Sequence, residues 1–258
     1  MIKRVYLFAA IVSMLTIGGC TPVFAFNVAG KIIALDAGHG SSNTEIGASN
    51  VIDGRTIAEA EVNGTVLANL KAALESRGAF VVETERFSTR RERLTDAIDK
   101  CGDIDMNGDN IGDGRKCDIV VSIHHNGNVD ADHDGTLAIY SQRADLPLAK
   151  AMLNSLASGM GLNNEGLLSG AYGMTVMKNL ISTITEAYYV TNDCEAEAYY
   201  RHYINAAWIP SSSCSSNSTY SDGGILKNRV SQEVEAQLAG LESYFLGAGS
   251  GGGKPGKN

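Results

Sequence analysis

The sequence predicts one α/β domain, with a mostly parallel, twisted sheet and helices on both of its faces. Short apolar runs of strand length alternate with amphipathic stretches of helical length along the chain, and this alternation is typical of parallel sheets. The chain has 258 residues, of which 44% are hydrophobic and 19% charged. That is enough for one sizeable core and too little to require a second.

The elements follow in order from a buried strand over residues 31–36, which stops at the glycine-rich turn 37–40. A long helix over about 57–77 comes next and ends at Gly78. The remaining candidates are strands over 79–84, 118–124, 136–140, 174–177 and 181–187, and helices over 90–100, 145–156 and 225–245.

The first residues predict that the protein is exported. A basic pair precedes an apolar run over residues 5–17, which has the length of a signal-peptide core and is short for a membrane span. Residues 17–20 resemble a lipoprotein signal with Cys20 as the lipidated residue, and residues 23–25 offer an ordinary signal-peptidase site as the alternative. We expect a lipid-anchored protein of the cell envelope or periplasm, with secretion as the alternative.

The cysteine count agrees with lipidation, because setting Cys20 aside leaves four cysteines that can all pair in an oxidising compartment. Three pairings are open. We expect Cys101 to pair with Cys117, because the two bracket a polar, turn-rich segment that a disulfide would order. Cys194 and Cys214 bracket a similar segment and form the second expected pair, and buried free thiols are the alternative.

These features divide the chain into a signal peptide, a linker, one domain with two insertions, and a disordered tail. The signal peptide spans 1–19, the linker 20–30, the domain 31–246, its two insertions 101–117 and 194–222, and the tail 247–258.

The net charge of −8, without any cluster of Lys and Arg, argues against a nucleic-acid partner.

Candidate metal ligands lie where predicted strands end. His39 follows the first strand, at the edge where open parallel sheets form their ligand crevice. His124 and His125 end another strand, and because strand side chains alternate, only one of the two can face the crevice.

The helix over 57–77 offers two carboxylates, and its periodicity selects Glu59. Counting from Glu59 in steps of three and four residues gives Val62, Val66, Leu70 and Leu74, whereas Glu61 lies opposite that apolar stripe. A buried carboxylate needs a partner, and a divalent cation is the one that two nearby histidines suggest. Two His and one Glu with an open fourth position match the ligand set of zinc hydrolases.

Glu186 ends another apolar strand and is the candidate general base. A second carboxylate close to the metal could take a proton from the attacking water and pass it to a leaving amine. The alternative is a solvated carboxylate at a strand end.

Four blocks of the sequence together resemble a known family. They are residues 35–40 (LDAGHG), 59–63 (EAEVN), 121–126 (VSIHHN) and 185–192 (TEAYYVTN). In this order they are similar to the motifs of zinc-dependent N-acetylmuramoyl-L-alanine amidases, the amidase type 3 family of peptidoglycan amidases.

The resemblance covers residues 31–246 and implies that His39, Glu59 and His124 bind Zn²⁺ and that Glu186 is the catalytic carboxylate. The implied reaction cleaves the amide between the muramic lactyl group and L-Ala, so the implied partner is peptidoglycan or a muropeptide. Ala37 and His125 depart from the family pattern, which has Pro and a small residue there. The alternatives are a zinc peptidase on stem peptides and a peptidoglycan-binding protein without turnover. The sequence does not identify any activating protein.

A second metal site is expected in the acidic insertion. Oxygen ligands stand at alternate positions around Gly108, which resembles the first half of a calcium-binding loop, whereas an EF-hand glutamate is replaced by Gly114. The alternative is a solvated acidic turn. The candidate Ca²⁺ ligands are Asp103, Asp105, Asn107, Asp109 and Asp113.

Overall fold

The computed structural model describes residues 26–86, 89–176 and 179–250. Its strands are β1 Ile32–Ala37, β2 Ser49–Ile52, β3 Arg55–Ala58, β4 Phe80–Glu83, β5 Ile119–Asn126, β6 Thr136–Tyr140, β7 Asn164–Ser169, β8 Ser182–Tyr189, β9 Ser221–Asp222 and β10 Ile225–Leu226. Its α-helices are α1 Glu59–Glu75, α2 Arg90–Gly102, α3 Leu146–Met160, α4 Asp193–Tyr199, α5 Ser212–Ser216 and α6 Arg229–Ser250. A 3₁₀ turn spans Gly173–Thr175, and a π-helical turn spans Tyr200–Ile204.

Six strands form the central sheet in the order β4-β1-β5-β8-β6-β7. All neighbours are parallel except β6 and β8, which run antiparallel. The expectation of one α/β domain on a mostly parallel sheet is confirmed.

Alternation within the strands covers both faces of this sheet. Ile33 and Leu35 of β1 face the large core shared by α1, α3 and α6, whereas Ile32 and Ala34 face a smaller core with α2. The carboxyl ends of β1, β5 and β8 meet at one edge, where the three candidate strand-end residues lie.

The structure differs from the predicted elements in several places, among them the start of the last helix, which lies at Arg229 because Ile225 and Leu226 pair with β9. Residues 49–58 form a hairpin whose turn, Asp53-Gly54, has both φ angles positive (51° and 74°), a turn signal that the sequence contains. The edge strand β7 was not predicted. The strand predicted over 174–177 is wrong, because Thr175 donates both its amide and its hydroxyl to the Tyr172 carbonyl in a 3₁₀ turn; Met177 lies outside the described residues.

Both expected disulfides are present. Cys101 joins Cys117 and Cys194 joins Cys214, with Cα separations of 5.3 and 5.2 Å. The first closes the acidic loop between α2 and β5, and the second joins α4 to α5 within the second insertion.

The predicted signal peptide and Cys20 lie outside the described residues. At the other end, α6 continues through Ser250, into the segment whose composition predicts a disordered tail, and residues 251–258 lie outside the described residues. None of the helices in the described ranges has the length and apolar character that a membrane span requires.

Candidate metal centre

Three side chains converge at the carboxyl edge of the sheet. His39 stands in the turn after β1, Glu59 is the first residue of α1, and His124 lies on β5. The Nε2 atom of His39 is 3.3 Å from Glu59 Oε2, and the Nδ1 atom of His124 is 2.9 Å from Glu59 Oε1. One ligand atom from each residue lies within 4.8 Å of the other two.

The backbone around His39 is shaped for this convergence. His39 has a left-handed φ of 61°, a conformation that costs a non-glycine residue roughly 1–2 kcal/mol. Its carbonyl accepts a hydrogen bond from Arg93 at 3.1 Å, and the preceding carbonyl, of Gly38, accepts one from Asn63 at 2.9 Å. A side chain at Gly38 would collide with the His124 ring, so that position needs glycine.

Glu59 is buried, and its charge is balanced by the two histidines. Burial alone would raise its pKa, but the hydrogen bonds with His124 and His39 outweigh burial and hold the pKa well below its usual range. The hydrogen bond with Glu59 in turn raises the pKa of His39. A buried carboxylate flanked by two imidazoles, with a side open to a cleft, is a ligand set that fits a catalytic zinc ion.

Glu186 lies beside His124, because β5 and β8 are parallel neighbours with these two residues in register. Burial, and then the charge of Glu59, raise the pKa of Glu186 to about 8. Its buried Oε2 atom has no hydrogen-bond partner among the described residues. Glu186 lines the same cleft as His39 and His124, so its carboxyl group lies where a substrate or a bound water would meet it.

The remaining lining of the cleft includes both polar and apolar side chains. Arg90, at the start of α2, is among the polar ones, and Ile139, Tyr172 and Ile184 are among the apolar ones. The Arg90 side chain is exposed, and the described residues include no ion-pair partner for it.

The other two candidate ligands, Glu61 and His125, do not face the cleft. Glu61 forms an ion pair with Arg55 at 2.9 Å on the outer side of α1, as the periodicity predicted. His125 is fully buried on the opposite face of β5, where it contacts Asn63 and Glu233. His124 is therefore the strand-end histidine that the structure brings to the cleft.

Sequence reasoning missed the residues that support the ligands. Glu45 pairs with the Nδ1 atom of His39 at 3.2 Å, and Arg93 pairs with the buried Asp36 at 3.2 Å. Asn63, one turn along the same stripe as Glu59, had a detectable signal in its periodicity. Arg93 had none, because a charged helix predicts an exposed arginine.

The acidic loop is compact and exposed. Asp105 accepts backbone N–H bonds from Asn107, Gly108 and Asn110, and Asp113 accepts one from Met106. Asp103 instead ends α2. Among the described His, Cys, Asp and Glu side chains, only those of His39, Glu59 and His124 form a group of three close enough to hold a metal ion. Calcium binding by this loop stays a prediction.

Comparisons with known proteins agree with the geometry. Residues 33–207, more than half of the chain, match the family model described as N-acetylmuramoyl-L-alanine amidase. The amidase LytC of Bacillus subtilis is 25% identical over 176 residues, which cover 66% of this chain and 31% of LytC. This chain therefore spans about a third of the length of that relative.

Solved structures show the same fold. The catalytic domain of CwlV from Bacillus (Paenibacillus) polymyxa var. colistinus is 19% identical, with a TM-score of 0.59 over 83% of this chain and 97% of that one. An N-acetylmuramoyl-L-alanine amidase from Clostridium difficile 630 is 17% identical, with a TM-score of 0.60 over 88% and 100%. The chain belongs to the N-acetylmuramoyl-L-alanine amidase family.

Proposed function

We propose that this protein hydrolyses the amide bond between N-acetylmuramic acid and L-alanine in peptidoglycan, with a zinc ion held by His39, Glu59 and His124. The observation that carries the proposal is the convergence of these three side chains beside the unpaired carboxyl of Glu186. Family membership supports the substrate and the bond that is cleaved.

A zinc ion held by His39, Glu59 and His124 would supply a Lewis acid that polarises the substrate carbonyl and lowers the pKa of a bound water. Glu186 then acts as the base and, later, as the acid. It accepts a proton as water adds to the lactyl carbonyl carbon, and it returns a proton to the alanine nitrogen as the C–N bond breaks. The products are a free lactyl carboxylic acid and a peptide with a free L-Ala amino group.

The raised pKa of Glu186 is compatible with both parts of this role. Burial and the charge of Glu59 raise it to about 8 in the metal-free protein. A cation held by the three ligands would favour the ionised carboxylate of Glu186 and so lower its pKa towards the working range of a general base.

The cleft offers different contacts to the two parts of the substrate. The exposed guanidinium of Arg90 suits a carboxylate of the stem peptide. The apolar lining residues, which include Tyr172 and Ile184, suit an uncharged sugar or peptide surface. This arrangement favours stem peptides with free rather than amidated carboxyl groups.

Product analysis tests the proposal. The purified protein is incubated with muropeptides, with and without a zinc chelator, and the products are identified by mass spectrometry. We expect a lactyl-bearing glycan and a peptide that begins with L-Ala, abolished by chelation and restored by Zn²⁺. Cleavage within the stem peptide would support the zinc peptidase instead, and binding without products would support a protein without turnover.

Two peripheral features are proposed with it. Export and lipid anchoring at Cys20 are tested by fractionation and by labelling with a fatty acid, which Cys20→Ala should abolish.

Calcium binding by the acidic loop is tested by thermal unfolding with a calcium-selective chelator while zinc is retained. An unchanged unfolding temperature would contradict the calcium proposal.

A further inference from the structure

A chain of buried hydrogen bonds runs from helix α6 to the metal centre. Glu233 on α6 contacts the Nε2 atom of His125 at 2.8 Å, and both side chains are fully buried. The Nδ1 atom of His125 contacts Asn63 Oδ1 at 2.6 Å, and Asn63 Nδ2 donates to the Gly38 carbonyl at 2.9 Å.

Chemistry fixes the direction of these contacts. A carbonyl oxygen only accepts, so the Asn63 amide must present its NH₂ group to Gly38 and its oxygen to His125. His125 Nδ1 is therefore the donor of that bond. Glu233 is held from its other side by Gln237, whose Nε2 atom donates to Oε1 at 2.7 Å. The side chains of Asn63, His125 and Glu233 thus have partners at both ends.

This series of hydrogen bonds ends on the peptide group that precedes His39. Asn63 holds the carbonyl on one side of His39, and Arg93 holds the carbonyl on the other. These two bonds fix the left-handed backbone that aims the His39 ring at Glu59. The backbone N–H of His125 also donates to Glu59 Oε1 at 3.2 Å, so the same residue supports a second ligand.

We propose that Glu233 is a positioning residue for the metal centre, acting through His125 and Asn63 to hold His39 in its ligating conformation. The proposal rests on the zinc site proposed above. It extends the functional unit to α6, which lies beyond the residues 33–207 that match the family model. It also gives a role to His125, one of the two residues that depart from the family pattern.

The test compares Glu233→Leu and Glu233→Gln with Glu235→Leu, a matched control at an exposed position of the same helix. Zinc affinity is measured by competition with a chromophoric chelator. The visible absorption of the cobalt(II)-substituted protein reports ligand geometry, and circular dichroism of the metal-free protein verifies folding.

We expect Glu233→Leu to weaken zinc binding about 10- to 100-fold and to change the cobalt spectrum, since partners of metal ligands have effects of this size. Glu233→Gln should stay within about threefold of the unsubstituted protein, because an amide offers His125 both a donor and an acceptor. If Glu233→Leu does not fold, the zinc affinity of Asn63→Asp is measured instead. An aspartate still accepts from His125 but cannot donate to the Gly38 carbonyl, so it should reproduce the zinc loss.

Two results would overturn the proposal. One is zinc binding in Glu233→Leu and Asn63→Asp that equals the Glu235→Leu control. The other is an equal loss in Glu233→Gln and Glu233→Leu, which would show that the hydrogen-bond chain is not the cause. Failure of the unsubstituted protein to bind zinc is a separate outcome, which would overturn the proposed zinc site itself.

Discussion

The two faces of strand β5 carry two polar clusters of opposite character. On the cleft face, His39, Glu59 and His124 converge and Glu186 keeps an oxygen without a partner among the described residues. On the other face, His125 is fully buried and bonded at both ring nitrogens. Adjacent histidines of one strand thus enter two clusters, one whose ligand atoms converge beside a cleft and one in which the histidine bridges Asn63 and Glu233.

This difference separates two uses of buried polarity. A cluster whose ligand atoms converge beside an open cleft is suited to bind a cation and a substrate. A cluster whose groups pair with one another fixes the positions of the elements that carry them. Four predictions test this distinction, from the largest expected effect to the smallest.

Glu186→Gln should lower amidase activity on muropeptides about 10²- to 10⁴-fold, because the amide cannot accept the proton of the attacking water. Zinc affinity should change little, since Glu186 is not one of the three ligands. Steady-state kinetics and zinc competition measure the two quantities. Glu165→Gln, a carboxylate outside the cleft, is the control. Full activity in Glu186→Gln would exclude the assigned mechanism.

Arg93→Leu should destabilise the metal-free protein by about 3–5 kcal/mol, because it leaves the buried Asp36 without its ion-pair partner. It also frees the His39 carbonyl, so zinc affinity should fall as well. Denaturant unfolding measures the first effect. Arg91→Leu, at an exposed position of the same helix, should have little effect, and equal stability of the two variants would contradict the prediction.

The metal-free protein should lose stability as the pH rises from about 4.5 to about 8. The pKa of Glu186 is raised on folding from 4.5 to about 8, so the folded state holds a proton that the unfolded state releases. The effect is present in full below pH 4.5, and the loss by pH 9 should reach a few kcal/mol.

Glu186→Gln should remove about half of this dependence in denaturant unfolding. A comparable share should remain, because burial, and then the charge of Glu195, raise the pKa of Asp134 from 3.8 to about 8 as well. Glu235→Gln should retain the full dependence. An identical slope in Glu186→Gln and the unsubstituted protein would show that this carboxyl is not protonated on folding.

Arg90→Gln should raise the KM for stem peptides with free carboxyl groups about fivefold, the effect of losing roughly 1 kcal/mol from an exposed charged contact. The KM for amidated stem peptides should not change. Arg91→Gln, which lies outside the cleft, is the matched control. An equal rise for both substrates would exclude recognition of a carboxylate by Arg90.

Local pattern was enough to predict five of the six strands of the central sheet, its covering helices and the edge where His39, His124 and Glu186 lie. These features depend on alternation, on helical periodicity and on the rule that parallel strands end together. The Asp53-Gly54 turn was also readable, although the hairpin was not predicted.

What the sequence could not predict depends on long-range contacts. Glu233 is 108 positions from His125, and a glutamate in an amphipathic helix reads as an exposed residue until its partner is known. The choice between His124 and His125 likewise required the cleft to be located. Buried ion pairs such as Arg93 with Asp36 have no periodic signature, because a charged residue at a core position looks like an interruption of the stripe.

Helix α6 also determines how far the chain can be shortened. Arg229, at its start, forms a buried ion pair with Glu195 at 2.6 Å and so ties the second insertion to the core. Leu238, Leu241 and Phe245 of the same helix fill the large core. A recombinant fragment cut at residue 207 would keep every proposed zinc ligand and lose this helix. We expect such a fragment to be insoluble or unable to retain metal, so the smallest useful expression boundary lies past Phe245.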